Sequence, residues 1–459
     1  MIITKKILNL LLIVIVSLIL NSCMQKQDRT PSVIYKENPI KGKMIDCNFY
    51  PGDSFYHAII HASDGNIYYA ICTHDRNTNV HMFRYNPKTG SNELIADIGK
   101  VFGEDATKTL PQGKIHVDFY EHNKKLYFTT HCGLYERGGS VDHGPYPGGH
   151  FASYDLTTGT FDDYGIGEKE EGLITMIMDK ERGRLYALTF PSGIFIYYDI
   201  DKDRKKSFGP SVVGYKYIPK KSVGNIPRSL GLDPRSGNVY WWNADETVST
   251  YNYVGDSIQV LTNHDLGRPI FKVHKRGSVE RKVSWRSIRW NETDSLFYGN
   301  TFYGEYLFSY DPLIGTIEVI DRIAPGPNRK SGELAGGSLA FELSKDGTTL
   351  YYVNNISPYT LEVDKKEIGE IHLVTYNIPL RKYIDHGPIV LEDGRKPVYS
   401  QGIEIGRDGN IYMVCVIPWT DFESEKGKAL KEIRHKATPT EHMKQVYEVN
   451  LVIIKNPIK

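Results

Sequence analysis

The chain has 459 residues, 40% of them hydrophobic, with 56 basic residues against 55 acidic ones and a formal net charge of +1. That length suits one large repeat domain, because propellers and barrels exceed the usual domain size. The near-neutral balance, without a basic stripe, excludes a nucleic-acid binder, and no stretch beyond the N-terminal leader is long and apolar enough to cross a bilayer.

The leader, Met1–Ser22, opens with Lys5 and Lys6, continues as an unbroken apolar run and ends in Leu20-Asn21-Ser22 before Cys23. A basic start, a short greasy core and a small residue before a cleavage point make a secretory signal. Leu-x-Ser-Cys resembles a bacterial lipobox. It implies cleavage before Cys23, lipid on its sulfur and a lipoprotein in the periplasm or outer membrane that is tethered to a membrane without spanning it. A plain signal peptide or membrane anchor is the alternative. Cys23–Ser32 then reads as a tether and Val33–Lys459 as the folded, monomeric part.

One unit recurs through that part: a strand, a turn of Asp, Gly and Asn, and a strand opened by an aliphatic-aromatic pair. It is seen in ASDGNIYYA, EHNKKLYFT, KERGRLYAL, PRSGNVYWW, NETDSLFYG, SKDGTTLYY and GRDGNIYMV. The marker aromatics are Tyr68, Tyr127, Tyr186, Tyr240, Phe297, Tyr351 and Tyr412, spaced 54 to 61 residues apart. A phrase such as FASYDLTTG or FSYDPLIG supplies a third strand, and the glycines provide the positive φ of tight hairpin turns. Such a repeat predicts an all-β fold, a seven-bladed β-propeller of four-stranded antiparallel blades around a channel. The last strands, near Val446 to Ile454, are expected to pair with chain from around Val33 to Asn48 and close the ring. Helical patterning is confined to the leader and the charged run Glu423 to Arg434.

Cys47, Cys72, Cys132 and Cys415 match no zinc spacing and read as buried free thiols, although an exported protein can form disulfides. Cys132 directly follows His131, which leaves a metal role open there.

Counting back eleven residues from each marker aromatic reaches the innermost strand at His57, His116, Thr175, Ser229, Arg286 and Gln401, and in the sixth repeat near Ser338 or Leu339. This polar set is suited to lining a wet axial funnel, either touching a ligand or satisfying backbone groups. Arg228 and Arg286 are shaped for a carboxylate.

The segment Thr129–Asp155 departs from the repeat. His131 ends a second strand and His150 opens the third, joined by a long hairpin carrying Tyr135, Arg137, His143 and Tyr146. The next unit has Phe190 and Ile194 in the corresponding places. Adjacent strands bring the two histidines near enough to share a ligand; two histidines beside a loop are the plainer alternative.

The phrase TTHCG…YPGGHFASYDLTTG, followed by EGLITMIMDKERGRLYALTFPSG, resembles the seven-bladed propeller polysaccharide lyases. These are the ulvan lyases of families 24 and 25 and, most closely, the L-rhamnose-α-1,4-D-glucuronate lyases of family 27. The resemblance is architectural over most of the mature chain and specific across about Leu126 to Asp233. It implies β-elimination at a glucuronate, with His131 as general base or acid, a tyrosine as its partner in the complementary role, and His150 and Arg228 binding the carboxylate. Tyr215 is favoured for the tyrosine, with Tyr198 as an outside candidate; His57, His116, Arg286, Gln401 and Tyr217 are expected to touch substrate. The implied substrate is a uronic-acid polysaccharide, of arabinogalactan or gum arabic type before ulvan. No cofactor is required for the chemistry, and a structural metal ion of unknown identity is allowed. A non-catalytic glycan-binding propeller is the reading from another class. Nucleophile, P-loop, zinc-protease, EF-hand and Asp-box motifs are missing, and nothing marks Glu333 and Glu404 as a hydrolase pair.

Overall fold

The computed structural model describes residues 31–36, 38–136, 138–139, 142–219, 223–262, 264, 274–276, 279–281, 285–301, 306–323, 340–355, 370–437 and 446–458. The leader, Cys23, Arg137, Glu333, Ser338 and Leu339 lie outside them. No helix of the described residues is long and apolar enough to cross a membrane.

The strand repeat becomes a series of four-stranded antiparallel sheets, each built from contiguous chain. The first comprises Ile59–His61, Ile67–Ile71, His81–Tyr85 and Asn92–Asp97, and the second Tyr120–His122, Lys125–Thr129, His150–Asp155 and Phe161–Ile166. The third runs from Gly172–Asp179 to Arg204–Pro210, the fourth from Gly231–Asp233 to Ser257–Leu261 and the fifth from Trp285–Asn291 to Thr316–Arg322. The marker aromatics all fall on second strands and are at most 7% exposed. Three of them or their neighbours also bind their own turn: Tyr68, Tyr298 and Tyr412 donate hydroxyl hydrogen bonds to Asp64, Asp294 and Asp408, four residues earlier. An aspartate or asparagine at the end of each third strand holds the following turn, as where Asp155 Oδ1 accepts from the amides of Thr157 and Thr158 and Asn86 Oδ1 from those of Lys88 and Thr89.

The end of the chain departs from separate sheets. Phe341–Leu343, Thr349–Asn355, Ile371–Asn377 and Lys382–Leu391 join Tyr399–Ile405, Asn410–Pro418 and Tyr447–Lys455 in one nine-stranded sheet, which two N-terminal strands complete and one of them links. Ile40–Ile45 pairs antiparallel with Tyr447–Lys455, the closure expected from sequence, and its other edge pairs parallel with Ile389–Leu391. Ser32–Tyr35 adds a parallel pairing with Lys382–Asp385. A strand with partners on both edges fuses what the repeat alone would leave apart.

The leading strands lie against one another in sequence: Gly172–Asp179 beside Gly231–Asp233, then Trp285–Asn291, Phe341–Leu343, Tyr399–Ile405 and finally Ile59–His61. This arrangement is propeller-like, with first strands innermost. Gly402 permits the last of those approaches, since a Cβ there would sit 2.7 Å from the Tyr56 carbonyl oxygen. Apolar clusters fill the spaces between sheets, as with Tyr186, Phe195, Trp241 and Tyr251. Cys47, Cys72, Cys132 and Cys415 are buried free thiols. The charged C-terminal run forms helix α2 (Glu425–Ala437), and a short helix α1 (Ile98–Val101) follows the first sheet.

Candidate functional site

Register shifts aim polar side chains inward. The leading strands of the third, fifth and last units each slip by one residue, between Leu173 and Thr175, Trp285 and Ser287, and Ser400 and Gly402. A bulge re-aims the extra residue. In two of the three that residue is Arg286 or Gln401, and the Arg286 guanidinium donates to Gln401 Oε1 at 2.5 Å across the ring.

His57, His116 and His131 are buried near this pair. The His116 ring lies 6.1 Å from that of His131, edge to face, and 3.9 Å from the half-buried Tyr56 ring. Burial holds all three imidazoles well below their ordinary pKa. Neighbouring cations add to it: Lys114 and Arg228 at His131, Arg228 and Arg286 at His116, Arg286 and Arg289 at His57. These rings are therefore neutral at physiological pH. Burial, with the charge of Arg228 adding and Tyr399 opposing, also lowers Arg286 to about 10. His57 Nε2 and His116 Nδ1 are buried and accept or donate no hydrogen bond among the described residues.

His131 sits where it does because Gly172 has no side chain: a Cβ there would lie 1.9 Å from His131 Nδ1. Phe190 closes over the imidazole at 5.6 Å, and Tyr135 and Tyr217 pack edgewise on Phe190 at 5.6 and 6.0 Å. Tyr217 thus reaches the site as part of an aromatic wall, a surface suited to a sugar face.

His150 has a separate setting, which corrects the expectation that it shares a ligand with His131. Thr130 is the residue that pairs with His150. His131 lies one step beyond, and consecutive residues point to opposite faces. His150 Nδ1 meets Asp163 at 2.8 Å, Nε2 meets Glu104 at 2.9 Å, and the ring stacks on Phe102 at 4.1 Å. Burial alone would lower its pKa, but the two carboxylates outweigh it and raise the value to about 8. With both nitrogens held by acids, this imidazole is not placed to bind a substrate carboxylate. Glu104 is itself held by Gln112, which also bonds the Gly148 carbonyl and accepts from Tyr146.

Tyr215 is half-buried in the apolar cluster between the third and fourth sheets, beside Val212 and Gly193. Tyr198 is buried and donates to Asp203. The tyrosine ring stacked against a site histidine is instead Tyr56, next to His57 in sequence. Lys114 was also missed. It pairs with His131 in an isolated antiparallel bridge, each amide donating to the other's carbonyl, and its ammonium lies 5.5 Å from the Tyr56 ring centre. The signal was available, since Lys114 precedes His116 by two residues and shares its face in an extended chain.

Deeper along the axis, Arg289 donates to Asp118 at 3.1 Å and to Glu342 at 3.0 Å. A small cavity beside this ion-pair group is lined by Asp118 and Arg289 together with His57, Thr175, Arg228, Ser229 and Ser287. Beyond it, burial and the nearby Glu342 raise Glu404 to about 8. The Cys132 thiol lies 3.6 Å from His131 Nδ1 and is pushed up to about 12 by burial. Among the described residues, no group of three or more His, Cys, Asp or Glu is arranged to hold a metal ion.

No family model matches the chain, and no curated protein does. Solved structures resemble it at low identity. A putative 6-phosphogluconolactonase from Bacteroides uniformis is 13% identical, with 74% of this chain and 86% of that one covered and a TM-score of 0.46. Virginiamycin B lyase from Staphylococcus aureus is 10% identical, covering 66% and 80%, with a TM-score of 0.40. U3-55K is 8% identical, covering 91% and 100%, with a TM-score of 0.48. Likenesses at this level carry no argument about what this chain does.

Proposed function

We propose that the protein is a seven-bladed propeller lyase that cleaves a rhamnose–glucuronate linkage by β-elimination. The observation that supports this reading best is the pairing of neutral, buried histidines with arginine at one funnel. His131 and His116 are uncharged and able to accept a proton, while Arg228 beside them is a fixed cation.

Elimination from a uronate needs that combination. The C5 proton is weakly acidic next to a carboxylate, and a cation on the carboxylate stabilises the enolate-like transition state. A neutral imidazole takes the C5 proton, the C–H electrons form the C4–C5 double bond, and the C4–O4 bond breaks. The oxygen leaves with rhamnose and receives a proton from an acid. His131 serves as the base, Arg228 as the carboxylate's partner, and Tyr56, stacked on His116, is the acid best supported by the geometry. Tyr217 and the Phe190 wall would carry the sugar face, and Arg286, Gln401 and His57 the neighbouring unit. The partner is a uronic-acid polysaccharide, and the reading includes a lipid anchor at Cys23 that keeps the protein at the bacterial envelope.

The test is ultraviolet absorbance of protein from Met24 onward incubated separately with gum arabic and ulvan. Elimination creates a conjugated unsaturated uronate that hydrolysis does not produce. A rise with gum arabic together with free rhamnose is expected, and His131→Ala should lower it by about 10²- to 10⁴-fold. A rise with ulvan alone would reassign the substrate. No rise, with tight glycan binding retained, would make the propeller a binding module.

A further inference from the structure

The bridge between Lys114 and His131 places a second cation at the funnel. Directly opposed residues in an antiparallel bridge project to one face, with Cβ atoms about 5 Å apart. Lys114 is 8% exposed. Its ammonium lies over Tyr56, the same ring that packs on His116, and its charge acts on His131. Among the described residues it forms no ion pair and no side-chain hydrogen bond. Elsewhere, basic side chains this deeply buried have partners: Arg184 pairs with Asp199, and Arg286 with Gln401.

A buried ammonium without an acid is costly to keep. A bound anion would repay that cost. The position also answers a gap left by His150: the carboxylate needs more than one donor, and His150 is occupied by Asp163 and Glu104. We propose that Lys114 is a substrate-binding residue that holds the glucuronate carboxylate beside His131 together with Arg228, so that the site selects an acidic sugar over its neutral counterpart. This rests on the uronate-lyase reading for the identity of the anion.

The experiment compares two probes on the full protein: a glucuronate-terminated oligosaccharide, and the same oligosaccharide with its carboxyl reduced to the alcohol. Affinities are measured by calorimetry and as inhibition constants in the absorbance assay. Wild type should prefer the acid. Lys114→Met should weaken the acid by about 10- to 100-fold, as loss of a charge-assisted contact does, and leave the reduced sugar unchanged. Lys114→Arg should recover most of the loss, and Lys114→Gln, which keeps a polar head, should behave as Lys114→Met does. Parallel weakening of both probes, no change in either, or no acid preference in wild type would overturn the proposal. If wild type makes no unsaturated uronate yet the Lys114-dependent acid preference persists, the lyase reading fails and the anion contact stands.

Discussion

Replacing His150 with asparagine removes the cation that Asp163 and Glu104 share. Its side chain is only 7% exposed and that of Glu104 14%, so the 2.9 Å contact is little screened, while Asp163, 36% exposed, is screened in part at 2.8 Å. The folded value of about 8 lies above the ordinary 6.5, a difference of about 2 kcal/mol in favour of the folded state once the ring is protonated. Because the folded pKa is the higher one, that contribution is complete below pH 6.5 and is lost as pH rises through about 8. Urea unfolding of wild type and His150→Asn should therefore differ by about 2 kcal/mol more near pH 6 than near pH 9. Glu104→Gln and Asp163→Asn should each remove part of the same pH dependence. A gap that does not change with pH would refute the charged clamp and leave only the Phe102 stack to explain the position of His150.

Three more outcomes are expected. Gly172→Ala puts a methyl group 1.9 Å from His131 Nδ1; on the lyase reading, elimination should fall about 100-fold by steady-state kinetics, and displacing the buried ring should cost about 1–3 kcal/mol in urea unfolding. Lys114→Met removes one of the charges that, after burial, hold His131 low, so the acid limb of its kcat/KM profile should move to higher pH, whereas an unmoved limb would separate His131 from the titration. Arg289→Met leaves Asp118 and Glu342 facing each other without their cation. It should cost about 3 kcal/mol in urea unfolding, with the loss shrinking in acid as Glu342, which burial already raises, protonates.

The repeat made most of the fold readable. A strand must alternate, a hairpin must turn on glycine or aspartate, and an aromatic such as Tyr186 must be buried, so the second strands could be found from Tyr68 to Tyr412. Counting from them reached His57, His116, Arg286 and Gln401, which lie near one another in the structure. Pattern alone did not reach what depends on a single residue step. His131 and His150 looked like a pair because they lie on neighbouring strands, but the Thr130–His150 pairing turns them to opposite faces. Tyr215 and Tyr56 are equally plausible by composition; only packing sets Tyr56 against His116. Alternation from His116 points to Lys114, but its place beside His131 comes from an isolated bridge seventeen positions away that no strand pattern announces. The parallel pairing of Ser32–Tyr35 had no local signal, since its partner strand lies near the other end of the chain.

That long-range pairing has a consequence for how the molecule is made. The first five sheets assemble from contiguous chain and can form as synthesis proceeds. Ile40–Ile45 is synthesised before all of them, yet its partners, Lys382–Leu391 and Tyr447–Lys455, come last. For almost the whole of synthesis this ribbon has two open edges and nothing to join. It acts as a latch that the C-terminal strand must find, so this pairing is the latest event, and until it forms the open edges compete for pairing between chains as concentration rises. Deleting residues 31–45 would leave two sheet edges permanently uncovered, and the expected product is a chain that joins to its copies edge to edge.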